Sequence, residues 1–222
     1  MRSIIAVVVL VLVSAFGAKA QPVDVALVIA MDVSGSVSEE NWSLQRDGVA
    51  DAIGSPAFGA AITSGQIGRM AIAVMQWGSG AQVVVGWTVL DSRAGARAFA
   101  ARVREMARLE SGATCMGNAL VKAGIELMAW DDQASRRVID ISGDGADNCS
   151  ASVSDARAAV LAQNITINGL PIVTPTEPHI AEWYEGKLIG GPGAFVVIAE
   201  GFDSFANAFL RKLVWETAEV LP

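Results

Sequence analysis

The stretch Val23–Asn41, V-D-V-A-L-V-I-A-M-D-V-S-G-S-V-S-E-E-N, decides the fold. Its first eight residues form a nearly unbroken apolar run, the pattern of a strand buried on both faces. The run gives way at Asp32-Val33-Ser34-Gly35-Ser36, which sets one acid and two hydroxyls at the strand's exit. Ser38, followed by Glu39 and Glu40, has the form of a helix N-cap with acids in the first turn. Trp42, Leu44, Val49 and Ile53 carry that helix onward.

Beyond it the chain alternates strand-like and helix-like stretches. Strands are expected at Met70 to Trp77 and Gln82 to Thr88, with Gly78-Ser79-Gly80 between them. That connection is too short for a parallel crossover, so the pair is expected to be antiparallel. Ser92 to Leu109 reads as an amphipathic helix, with Phe99, Val103 and Met106 on one face and Arg97, Arg104 and Arg108 on a solvated one. The loop Glu110 to Cys115 leads into a helix from Met116 to Trp130. Strand Arg137 to Ile141, helix Ser152 to Gln163 and strand Ile165 to Leu170 follow. Residues Pro171 to Gly193 read as irregular, with one helical turn at His179 to Tyr184. A last strand at Ala194 to Ala199 and a helix striped by Phe205, Phe209 and Leu213 end the chain. The expected architecture is α/β in three layers: a mostly parallel central sheet with one antiparallel edge strand and helices on both faces.

At the amino terminus, Arg2, the apolar run Ile4 to Val13 and the small-x-small pattern Ala18-Lys19-Ala20 read as a secretory signal over residues 1–20. A retained anchor is the alternative. One domain over residues 21–222 would remain, without membrane insertion after cleavage. The 222-residue chain carries a net charge of −7, with 23 acidic and 16 basic residues, and losing Arg2 and Lys19 makes it more acidic. Such a chain is not expected to seek nucleic acid or an anionic membrane surface. Its two cysteines, Cys115 and Cys149, are expected to pair in an oxidising compartment. With a single histidine, His179, and no CxxC spacing, neither a zinc site nor histidine-based catalysis is indicated.

In an open parallel sheet, ligands sit beyond the carboxyl ends of the strands. Three stretches reach that edge: Asp32 to Ser36; Ser111-Gly112-Ala113-Thr114; and Ser142-Gly143-Asp144-Gly145-Ala146-Asp147-Asn148. Together they offer Asp32, Ser34, Ser36, Thr114 and Asp144, all hard oxygen donors suited to Mg²⁺, Mn²⁺ or Ca²⁺. A blander reading makes Asp32 to Ser36 only a capped turn. Asp140, inside a strand, reads as structural, and Asp147 and Asn148 as turn formers, with shaping of the metal loop as their alternative role.

The order Asp32-x-Ser34-x-Ser36, then Thr114 in GATCMGNAL, then Asp144 in ISGDG resembles the metal-ion-dependent adhesion site of von Willebrand factor type A domains. More specifically, DVSGSVSEENWSLQRDGVADAI, VIDISGDGADN, ITINGLPI and IGGPGAFVV resemble the bacterial secreted domain of unknown function 1194 family. The resemblance implies direct contacts to a metal from Ser34 and Ser36. Thr114 would bind directly or through water, and Asp32 and Asp144 would hold metal-bound waters. It also implies an open coordination position for an Asp or Glu carboxylate of an unidentified protein partner, and a periplasmic or extracellular location. If Thr114 and Asp144 flank one ion, Cys115 and Cys149 lie on neighbouring loops that a disulfide would tie together.

The enzyme rival is a Mg²⁺-dependent haloacid-dehalogenase-like phosphohydrolase, with Asp32 as nucleophile and GDGADN as the acidic loop. It lacks its general acid, because Ser34 stands where a second Asp is needed. A serine hydrolase lacks its G-x-S-x-G elbow. A metal-free scaffold domain is the third reading. The six tryptophans are expected mainly in packing, with Trp183 and Tyr184 as the candidates for an exposed contact surface.

Overall fold

Strand β1 (Val23–Asp32) is buried along nearly its whole length because both its edges and both its faces are covered. It pairs in parallel with β2 (Met70–Trp77) on one side and with β4 (Ala134–Gly143) on the other. β3 (Ala81–Leu90) adds antiparallel to β2, and β5 (Ile165–Pro171) adds parallel to β4, giving the order β3-β2-β1-β4-β5. The computed structural model describes residues 22–109, 112–130 and 133–217. The leader expected over residues 1–20, and Ser111 of the second expected loop, lie outside them.

The pleat of β1 divides the core in two. Val25, Leu27, Ile29 and Met31 face a layer built by α1 (Glu39–Gly54), α2 (Pro56–Thr63), α3 (Arg93–Glu105) and α7 (Phe205–Thr217). Ala26, Val28 and Ala30 face the opposite layer, where α4 (Met116–Ala129), α5 (Val153–Leu161) and the short α6 (Ile180–Trp183) lie. Four helices begin on a serine whose side chain accepts a backbone N–H of the first turn: Ser38, Ser55, Ser92 and Ser152. Each such cap is worth about 1 kcal/mol.

Three elements differ from the sequence expectation. Helix α2 occupies a stretch with no assignment; its Ser55-Pro56 start, an N-cap followed by proline at the first helical position, is the signal that marks it. Helix α3 stops at Glu105 rather than Leu109, because the buried side chain of Gln76 captures the next backbone groups. Its amide donates to the Ala107 carbonyl (2.8 Å), and its oxygen accepts from Leu109 N–H (2.7 Å). The expected last strand is not a full sixth strand. Residues 194–199 meet β5 and its immediate continuation at isolated parallel bridges, Gly169–Val196 and Ile172–Ala199, and the Asn168 side chain takes the Phe195 N–H.

Tyr184 also departs from expectation: it is fully buried, not an exposed contact, and Trp183 is half-buried. The segment after α6 folds back over β5, where the absence of a side chain at Gly169 admits the tyrosine ring; a Cβ there would lie 2.6 Å from Tyr184 Cδ1. Burial first, and then the nearby acids, push the Tyr184 hydroxyl well above its ordinary value.

Helix α7 is fastened to the sheet by a buried ionic cluster. Lys212 Nζ lies 2.9 Å from Asp140 Oδ1 and 2.8 Å from Glu216 Oε1. Asn168 Nδ2 donates to both Glu216 oxygens, and the Arg136 guanidinium sits 3.7 Å from Glu216 Oε2. Asp140 is therefore structural. Burial opposes the charge on Lys212, but the two carboxylates hold its ammonium above the ordinary value. Replacing Lys212 with Met leaves two buried carboxylates short of their cation. The expected cost is about 3–5 kcal/mol in urea denaturation; an unchanged midpoint would show that the cluster contributes nothing to stability.

Burial raises the Asp140 carboxyl from 3.8 to about 6, against the pull of Lys212 and with the push of Glu216. The native state thus keeps this proton to higher pH than the unfolded chain. Its contribution is complete below the ordinary carboxylate range and is lost as pH rises through about 6. Asp140→Asn is expected to flatten the stability profile between pH 4 and 6 relative to the native chain, measured by denaturation at each pH.

Candidate metal centre

The carboxyl ends of β1 and β4 lie side by side at the point where the strand order reverses around β1. Chain leaving a parallel sheet there diverges to opposite sides and opens a crevice. β1 delivers Asp32 into it, fully buried. Ser34 N–H donates to Asp32 Oδ1 (2.7 Å), closing the turn that follows the strand. Among the described residues the buried Asp32 Oδ2 has no hydrogen-bond partner. Ser34 Oγ lies 3.2 Å from Ser36 Oγ, and Ser36 Oγ donates to Asp144 Oδ1 (2.6 Å), a contact that joins residues 108 positions apart. Asp144 is 4% exposed.

The loop before α4 is fastened against this turn by its backbone. Gly35 N–H donates to the Gly112 carbonyl (2.8 Å), Cys115 N–H to the Gly78 carbonyl (3.2 Å), and Ala113 N–H to Ser79 Oγ (2.8 Å). Thr114, 6% exposed, is held from the β4 side. Asn148 Oδ1 accepts Thr114 N–H (2.8 Å), and Asn148 N–H donates to the Thr114 carbonyl (3.0 Å). Asp32, Ser34, Ser36 and Asp144 thus form one connected polar chain. Thr114 sits on a loop bonded to both of its flanks.

Residues that the sequence assigned chiefly to other roles do much of this positioning. Asp147 Oδ1 accepts Met116 N–H (2.7 Å) and Gly117 N–H (3.3 Å), capping α4 from another loop, since Cys115 offers no side-chain cap. Asp147 and Asn148 are therefore ties between loops rather than turn formers alone. Arg108, expected on a solvated face, has its side chain only 17% exposed. Its guanidinium donates to the carbonyls of Val33, Ser34 and Val37, under the serine turn. A lone glutamine in the apolar run MAIAVMQW was the one local signal for Gln76; nothing local marks the others.

Cys115 and Cys149, 34 positions apart in sequence, form a disulfide with Cα atoms 5.1 Å apart. It joins the Thr114 loop to the loop that follows Asp144. Among the described residues the chain has no free cysteine.

Electrostatically the crevice is short of positive charge. Burial raises the Asp32 carboxyl to about 7, with the Ser34 hydrogen bonds opposing and the Asp144 charge adding. Burial likewise raises Asp144, against the hydrogen bond from Ser36. Arg108 spends its guanidinium on backbone carbonyls and Glu39 rather than on either acid. Two buried carboxylates without a basic partner are costly and favour a cation. Among the described residues no group of three or more His, Cys, Asp and Glu side chains is gathered to hold a metal. An ion in this crevice would have to be taken by hydroxyls as well as by the two acids, a donor set that fits a hard cation.

The sheet, its strand order and the loops at its carboxyl edge define a von Willebrand factor A-like domain. Similar solved structures include proximal thread matrix protein 1 from the mussel byssus (TM-score 0.62, 14% identity, 88% of this chain and 47% of that one). A further structure of that protein, described as having a zinc-occupied MIDAS motif, has TM-score 0.61 and 15% identity, covering 86% of this chain and 45% of that one. A von Willebrand factor type A protein from Catenulispora acidiphila has TM-score 0.55 and 20% identity, covering 86% and 42%. The chain spans less than half the length of each, and identities this low show the fold alone. The chain itself belongs to the family described as protein of unknown function DUF1194, whose model matches residues 22–221. No curated protein matches it by sequence.

Replacing both cysteines with alanine is expected to cost on the order of 3–4 kcal/mol in denaturant unfolding. An unchanged midpoint would show that the bridge does not constrain the chain.

Proposed function

We propose that this chain is a divalent-cation-dependent protein-binding domain of the adhesion type. The observation that supports this reading most directly is the pair of buried acids, Asp32 and Asp144, without a basic partner among the described residues, beside a hydroxyl pair on the turn that follows β1. Ser34 and Ser36 would contact the ion directly, Thr114 directly or through water, and Asp32 and Asp144 through bound waters. Mg²⁺ is the proposed ion, with Mn²⁺ or Ca²⁺ as alternatives; the zinc-occupied motif of the byssus protein supports a divalent ion at this place in the fold.

The division of labour has a physical logic. Neutral hydroxyls in direct contact leave a cation most of its charge, while two acids one layer out keep it bound. The ion supplies an electrophilic position that accepts a carboxylate oxygen. Ser36, exposed at the rim, marks where that position opens. Asp32 and Asp144 orient the hydroxyls and hold their protons away from the incoming group. The partner is proposed to be a protein presenting an Asp or Glu. Binding rather than turnover is proposed because Ser34 occupies the position where an aspartyl-phosphate mechanism needs its proton donor.

Export to the periplasm or the extracellular space belongs to the same proposal, with residues 1–20 as the cleaved signal. Among the described residues no helix is long and apolar enough to cross a membrane.

Calorimetric titration of the purified protein with Mg²⁺ and Mn²⁺ tests the reading. One ion per chain is expected, with binding abolished by Ser34→Ala or Asp144→Ala while the unfolding transition is kept. Heats unchanged by those substitutions would overturn it.

A further inference from the structure

A second feature adjoins the proposed ion position. An open cleft of about 400 Å³ is lined by Ser36 and Asp144, by the Thr174–Thr176 turn and by the segment at Gly201–Asp203. Its lining is mostly polar. The side chains of Asn41, Thr174 and Thr176 offer neutral donors and acceptors, and Thr174 Oγ1 and Thr176 Oγ1 are 3.0 Å apart, sharing a hydrogen bond. Phe202, nearly buried, contributes an apolar contact. Apart from Asp144, the one ionisable group lining the cleft is Asp203; no basic side chain lines it. Asp203 is exposed, and among the described residues it has no ion-pair partner.

The lining therefore combines three kinds of group. Beside Ser36 and Asp144, on the functional reading above, a divalent ion would take a carboxylate. The hydroxyl and amide groups suit an extended backbone, which carries a donor and an acceptor at each residue. Asp203, in a different segment of the lining, is a carboxylate without an ion-pair partner among the described residues, which repels a second acid and attracts a base. An acidic ligand with nothing else would meet one favourable and one unfavourable charge. A segment carrying both signs satisfies both.

We propose that the cleft is the specificity-determining part of the binding surface, and that its occupant is an extended polypeptide segment with one Asp or Glu and, a few residues away, one Lys or Arg. The acid goes to the ion beside Ser36 and the base to Asp203. The inference rests on the metal-dependent reading and adds the chemical class of the partner. Asp203 acts as a selector: it is not among the groups proposed to hold the ion, and it discriminates among carboxylate ligands by what accompanies them.

The test is a selection of phage-displayed random dodecapeptides on the immobilised chain in Mg²⁺, eluted with EDTA and sequenced. The eluted pool is expected to be enriched in peptides that carry one acid with a base within four residues. A synthetic peptide from that pool is expected to bind Asp203→Lys about fivefold more weakly than the native chain, with Asp203→Asn between them, as an exposed charge contact dictates. Selection repeated on Asp203→Lys is expected to replace the base with a second acid. If the pool carries acids with no companion base, or if the peptide binds both Asp203 variants as it binds the native chain, the selector role is overturned while the metal reading stands. If the eluted pool lacks acids, is empty, or is the same on Ser34→Ala, the metal reading falls and the selector with it. Asp203→Asn keeps the side-chain shape, so the comparison survives should the lysine variant fold poorly.

Discussion

The structure turns on a carboxylate placed where a carboxylate is expensive. Asp32 closes the central strand of the sheet, is fully buried, and has one oxygen satisfied by the turn it caps and the other without a partner. Burial alone would hold such a group protonated well into neutral pH, and its carboxyl is raised to about 7. A fold of this size tolerates such a group when something compensates. The compensation we propose is a cation held directly by Ser34 and Ser36, with the Asp32 and Asp144 carboxylates one water further out. The parallel pairing of β1 with both β2 and β4 is what brings these loops to a common edge, and the reversal of strand order there is what opens space between them.

Around that point the fold invests in rigidity. Asn148 pairs with the Thr114 backbone in both directions, Asp147 caps the helix that begins at Met116, and the Cys115–Cys149 bridge repeats the same connection covalently. On the other flank Gln76 ends α3 and turns the chain so that Arg108 reaches beneath the serine turn. A cation-binding set works only if its donors are held in place before the ion arrives, because each loop ordered at the moment of binding subtracts from affinity. The ionic cluster of Lys212, Asp140 and Glu216 serves a different end. It anchors the last helix to the sheet through β4, the strand that Asp144 directly follows.

Much of this was legible in the sequence. The doubly buried run before Asp32, the short glycine-serine connection after Trp77 and the alternation of strands with helices were enough for the sheet and its one antiparallel edge. The sequence also put the loops of Asp32, Thr114 and Asp144 at one sheet edge, but Asp32 to Ser36 read equally as a capped turn; the contact of Ser36 with Asp144 is visible only in the fold. What escaped was set by contacts distant in sequence. Gln76 shortens α3 from across the sheet edge, and Tyr184 is buried because Gly169 leaves room for it. The stretch at residues 194–199 has strand composition, yet it meets β5 beside Asn168, whose side chain takes the place of a ladder bond at Phe195. Asp147 and Asn148 look like turn residues because locally they are; their second role appears only once the Thr114 loop is beside them.

Anomalous diffraction from a crystal of the protein soaked in Mn²⁺ tests the central claim most directly. The account predicts one strong peak at direct bonding distance from Ser34 Oγ and Ser36 Oγ, with the Asp32 and Asp144 carboxylates one water further out. A crevice without a peak in a crystal that takes up Mn²⁺ elsewhere, or Ser34 and Asp144 separated with no ion between them, would contradict it.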